Sequence, residues 1–160
     1  MELYVLRHGE AEPRGSNTDE ADRALTRRGK RDVQAVLKAV RKARLGPQLI
    51  LTSPLRRARE TAAVASAFFP EASVVATDRL KPSASSSAVW KEACADASIS
   101  RVLLVGHEPQ LSHLITFLLD APVSVDFKKG ALLRIDCAGR LGRPQGVLKW
   151  FLTPRVVRSL

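Results

Sequence analysis

The chain has 160 residues, 45% of them hydrophobic, and its 26 Lys and Arg against 16 Asp and Glu give a formal net charge of +10. That length predicts a single domain over residues 1–160 with a core that needs no staples, and no apolar run is long enough to cross a bilayer. Cys94 and Cys137 fit no metal-ligand spacing and no disulfide framework; with no signal-peptide pattern at the start of the chain, they predict a cytoplasmic, reducing setting. The cation excess predicts attraction to phosphorylated or acidic partners. The basic stretches lack the interleaved aromatics that base stacking needs, so nucleic acid is not an expected partner.

The first element is a strand, Leu3-Tyr4-Val5-Leu6, which stops at Arg7-His8-Gly9-Glu10. Residues 9 to 25 are polar and read as a surface loop of a length that is usually functional. Thr26 is placed to cap a helix running to about Arg44, with Val33, Val36, Leu37 and Val40 on one stripe, and Gly46-Pro47 ends it. Leu49-Ile50-Leu51-Thr52 reads as a buried strand. Ser53-Pro54 follows in the order of an N-cap and first-turn proline, opening a helix whose buried side is Leu55, Ala58, Ala62, Ala65 and Phe69. A weaker strand covers Val74 to Thr77, and a helix covers about Ala88 to Ala97.

Arg101 to Gly106 is a buried strand ending on His107, and Pro109 starts a helix carrying Leu111, Leu114, Ile115 and Leu118. Strands are then expected at Val123 to Phe127, Ala131 to Asp136 and Gly146 to Leu152, with turns at Lys129-Gly130 and around Gly139 to Gly146. Strands alternating with helices over the first 120 residues predict an α/β three-layer sandwich, its largely parallel central sheet flanked by helices.

Chemistry gathers at three strand ends. Arg7 and His8 follow the first strand, Ser53 the second, and His107 the fourth. Arg56, Arg57 and Arg59 stand in the first turns of a helix, where the positive end of the dipole disfavours cations. Arg56 and Arg59 read as solvent-facing, whereas Arg57 can reach back over the strand ends and, with free amide groups, hold a phosphate. Arg14 reads as solvent-facing, His113, inside an apolar helix, as a core or edge histidine, and Trp90 and Trp150 as packing residues.

Four stretches together resemble the histidine phosphatase superfamily, the phosphoglycerate-mutase-like fold, and most of all its SixA-type phosphohistidine phosphatase branch. They are Arg7-His8-Gly9, Leu25-Thr26-x-x-Gly29, Ser53-Pro54-Leu55-Arg56-Arg57-Ala58-x-x-Thr61 and Val105-Gly106-His107-Glu108-Pro109. The resemblance implies that His8 is a nucleophile forming a transient phosphohistidine, that Arg7 and Arg57 hold the phosphoryl oxygens, and that His107 is the pocket's second histidine. Gly9, Ser53 and the backbone of Glu108 are expected at the substrate, with no metal and no cofactor. A neutral His8 and a cationic His107 would give a bell-shaped pH profile.

Larger relatives carry a general-acid glutamate in a Leu-x-Glu context, but here Leu80 is followed by Lys81-Pro82. Imidazole can leave without much protonic help, so the expected substrate is a phosphohistidine-bearing protein such as a phosphotransfer domain, met at a shallow, open site. Glu12, Asp19, Asp22 or Glu108 could substitute as acid from a loop. The alternatives are a small-molecule phosphomonoesterase with the same pocket and a non-catalytic phosphate- or polyanion-binding module. Arg27, Arg28, Lys30 and Arg31 either steer an acidic partner or form a solvated helix end.

Overall fold

The structure, a computed structural model, describes residues 1–15, 19–140 and 142–159. Ser16, Asn17 and Thr18 of the predicted loop and Leu141 of the predicted turn lie outside the described residues. Six strands form one sheet: β1 (Glu2–Arg7), β2 (Leu49–Thr52), β3 (Ser73–Ala76), β4 (Arg101–Gly106), β5 (Leu132–Ala138) and β6 (Gln145–Leu152). Their spatial order is β3-β2-β4-β1-β5-β6. The first four run parallel, and β5 and β6 join antiparallel, so the sheet is mixed beyond β1.

Alternation along β1 divides the core. Leu3 and Val5 face one side with α3 (Ser86–Ala93) and α4 (Gln110–Leu119), while Tyr4 and Leu6 face the other with α1 (Arg27–Lys42) and α2 (Arg56–Phe68). All four of these β1 side chains are at most 1% exposed, which is why the first strand reads as a continuous apolar run. A short α5 (Pro154–Arg158) closes the chain. Among the described residues no helix is long and apolar enough to cross a membrane.

Three expectations need correction. Val123 to Phe127 forms no strand: its backbone bonds locally instead, the Phe127 amide donating to Val125 O (2.9 Å) and the Lys128 amide to Asp126 O (3.0 Å). The helix after β2 starts at Arg56 with Leu55 at its N-cap, two residues later than Ser53-Pro54 suggested; the Ser53 hydroxyl accepts from the Leu55 amide (3.3 Å) in the turn before it. His113 is exposed rather than part of the core or its edge.

Candidate active site

The carboxyl ends of β2, β4 and β1 lie side by side, with β4 in the middle. The ladders continue just past the strands: the His8 amide donates to Gly106 O (3.1 Å) and the Ser53 amide to Val105 O (3.0 Å). His107 therefore emerges between His8 and Ser53, in the crevice where open α/β sheets bind ligands. The two imidazoles lie 5.0 Å apart between ring centroids. His107 Nε2 is 2.8 Å from Ser53 Oγ.

Arg57 sits in the first turn of α2 and is 5% exposed, while Arg56 and Arg59 are exposed. Its Nε–H donates to His8 Nε2 (3.3 Å). Arg7, at the end of β1, donates from Nη1 to Phe127 O (2.7 Å). The sequence-predicted residues Arg7, His8, Arg57 and His107 are thus brought to one place, with Ser53 beside them.

The tautomer of His8 follows from its partners. Nδ1 is 2.7 Å from Gly9 O, and a carbonyl only accepts, so Nδ1 carries the proton. Nε2 then presents its lone pair toward Arg57. Burial, followed by the charges of His107, Arg57 and Arg7, pushes the His8 pKa down to about 3 despite the Gly9 carbonyl. His107 is pushed down to about 4 by burial and by Arg57 and Arg7. The free site thus holds two neutral histidines; the cationic His107 expected from sequence requires an anion to raise it.

A stability prediction follows. Unfolded histidine titrates near 6.5, so between pH 6.5 and about 4 the unfolded chain takes up protons that the native site refuses, and stability falls as pH falls. The expected slope is about 1 kcal/mol per pH unit for each histidine. Urea midpoints measured from pH 7 to 4.5 should decline less in a His8→Asn, His107→Asn double variant; equal slopes would show that other groups govern the acid limb.

The loop after His8 is locked from two sides. The Gly9 amide donates to Thr61 Oγ1 (3.1 Å), whose hydroxyl donates to Arg57 O (2.7 Å). Thr26 caps α1 by accepting from the Gly29 amide (2.9 Å), and its own amide donates to Glu10 O (2.9 Å). A Cβ on Gly9 would come 2.8 Å from Gly29 O, so the two backbones pack directly together. Gly9, expected at the substrate, spends its amide on Thr61 and its carbonyl on His8, and so serves the nucleophile's orientation.

Sequence reasoning missed Glu20. It lies in a single 3-10 turn, Glu20–Asp22, and its carbonyl accepts from Arg57 Nη1 (2.8 Å) while its carboxylate lies 3.3 Å from Nη2. Arg14 (3.0 Å) and Arg23 (2.9 Å) pair with the same carboxylate. Against the desolvation that would raise it, these hydrogen bonds and the Arg23 and Arg57 charges hold Glu20 below its usual range, so it stays ionised and is no general acid. Nothing in its spacing marks it out from Glu12, Asp19 or Asp22.

The other acid candidates are engaged elsewhere or exposed. Asp19 caps the turn through the Ala21 amide (3.1 Å), Glu108 accepts from the Ser112 amide (3.1 Å) and hydroxyl, and Glu12 and Asp22 are exposed. The turn over Arg57 also makes the site deeper than the shallow one expected: His8 is 6% and His107 2% exposed.

Comparison with known proteins places the family and the fold. The family model described as the histidine phosphatase superfamily (branch 1) matches residues 3–82. An uncharacterized protein of Picosynechococcus sp. is 35% identical over 113 residues, 69% of this chain and 68% of that protein. A structure assigned to phosphohistidine phosphatase SixA from Nakamurella multipartita matches with a TM-score of 0.79 at 26% identity, covering 96% of this chain and 95% of the other. The protein histidine phosphatase SixA complexed with tungstate matches with a TM-score of 0.84, covering 98% of this chain and 99% of that one; at 19% identity this likeness shows the fold alone.

Proposed function

This chain belongs to the histidine phosphatase superfamily, branch 1, a membership that supports phosphatase activity, and we propose that it removes phosphate from protein phosphohistidine through a covalent intermediate on His8, without a metal. The observation that carries this reading is the His8 imidazole: proton on Nδ1 against Gly9 O, lone pair on Nε2 facing Arg57. A neutral imidazole with its lone pair directed at a guanidinium is a nucleophile aimed at the place an oxyanion would occupy.

His8 Nε2 attacks phosphorus as the bond to the substrate's nitrogen breaks, and the substrate imidazole, protonated from solvent on its other ring nitrogen, leaves neutral. Water then attacks the His8 phosphoramidate, releasing inorganic phosphate and restoring the neutral histidine. Such transfer asks chiefly for positioning and for neutralised oxygen charge, which Arg7 and Arg57 supply with fixed forks. The incoming phosphoryl takes over the Arg57 N–H now given to the Glu20 carboxylate, one anion replacing another. His107, beside two arginines and then a dianion, gains the proton that the empty site denies it and becomes a donor.

The substrate class rests on leaving-group chemistry. Glu20 is held ionised, and the Glu108 carboxylate is bonded to Ser112, so neither is poised to protonate an alkoxide. Imidazole leaves with far less help. Purified protein is expected to clear phosphate from a phosphohistidine-labelled phosphotransfer domain with kcat/KM at least about 100-fold above that for glycerol phosphate, the order of one general-acid contribution. Comparable rates on the two would transfer the assignment to a small-molecule phosphomonoesterase.

A further inference from the structure

Gln110 opens α4 and is 1% exposed, yet neither its Nε2 nor its Oε1 has a hydrogen-bond partner. Unpaired buried polar groups are costly, and in native folds each calls for an explanation such as an unfilled ligand site. Among the described residues the other buried side-chain atoms in this state are Arg7 Nε and His107 Nδ1. All of these orphaned atoms therefore belong to two residues of the candidate site and to Gln110.

The three are neighbours by construction. The register of β1 and β4 pairs Arg7 with Gly106, and Gln110 Oε1 lies 3.3 Å from where a Cβ on Gly106 would stand. Alternation puts Arg7 on the same sheet face as Leu3 and Val5, the face covered by α4. The missing side chain at Gly106 gives the carboxamide its room next to Arg7. Arg7 is tethered at Nη1 by Phe127 O, leaving Nε–H as an unspent donor on the same sheet face as an unspent acceptor.

We infer that Gln110 is a positioning residue for phosphoryl binding, acting through Arg7. When a phosphoryl group draws the guanidinium to the strand ends, the Gln110 carbonyl oxygen receives Arg7 Nε–H and fixes the plane of the fork. This rests on the reading of Arg7 as a phosphoryl ligand. It makes the Gln110 carbonyl oxygen an acceptor that is filled only in the loaded site.

The test uses Gln110→Leu and Gln110→Met in the full chain, with melting temperature, inorganic phosphate affinity and turnover of a phosphohistidine-labelled protein measured together. Both variants remove the orphaned amide while keeping bulk, so the melting temperature is expected to hold or rise. Phosphate Kd and substrate KM are expected to increase about 10- to 150-fold, the range of one hydrogen bond made to a charged group, with kcat changed less. Phosphate affinity within twofold of wild type, or a loss that tracks a fall in melting temperature, would overturn the inference. Failure of the wild-type protein to bind phosphate or turn over substrate would instead remove the underlying reading of the site.

Discussion

His8→Ala is expected to lower kcat/KM by at least about 10⁴-fold on every phosphorylated substrate, because the acceptor of the phosphoryl group is gone and no second group in the site can take its place. His107 is 5.0 Å away between ring centroids, but its Nε2 is held by Ser53 and its approach is not lined up with a guanidinium as His8 is with Arg57. Arg7, Arg57 and His107 remain in the variant, so inorganic phosphate is expected to bind within about tenfold of wild type, a loss of about 1.4 kcal/mol at most. Acid-labile label from a phosphohistidine substrate should appear on wild type in rapid-quench experiments and be absent from the variant. Label loss from substrate at equal rates in the two proteins would end the nucleophile assignment.

Gly29→Ala is expected to destabilise the fold by about 3 kcal/mol or more. The sign is the informative part. In an unobstructed helix interior, Gly to Ala stabilises by about 1 kcal/mol, and Gly29 lies in the first turn of α1, where its amide is bonded to Thr26. A Cβ there would overlap the Glu10 carbonyl oxygen and stand 2.7 Å from the Glu10 amide nitrogen, and both are backbone atoms with no rotamer to move. The helix would have to lift off the loop that carries His8, so the variant should lose activity along with stability. At this chain length the melting temperature should fall by roughly 6–12 °C. A melting temperature equal to or above that of wild type would show that the contact between α1 and the His8 loop is slack.

Most of the site residues legible in the sequence share one property: they stand at the ends of apolar runs. Arg7, His8 and His107 each follow a strand that must be buried on both faces, so their positions in space follow from the ordering of an α/β sheet. Arg57 was visible because a cation in a helix's first turn runs against the dipole. Other roles depend on long-range geometry. Ser53 carries the sequence pattern of an N-cap, but the neighbouring strand end brings His107 within hydrogen-bond distance of its hydroxyl. Glu20 is one acidic residue among several in a polar loop, and only the folded path of that loop places it over Arg57. Val123 to Phe127 has strand-forming residues, and only the fold reveals that its backbone turns on itself, the Phe127 amide bonding Val125 O.

The carboxylate tethered over Arg57 sets a threshold for anything that would occupy the site. A group attached by a short loop competes at an effective concentration in the millimolar range, so dilute chloride, acetate or other singly charged metabolites meet a rival already in place. A phosphoryl dianion brings twice the charge and three oxygens, enough to dislodge it. Ambient anions are thereby filtered by valence before any recognition of the protein that bears the phosphate.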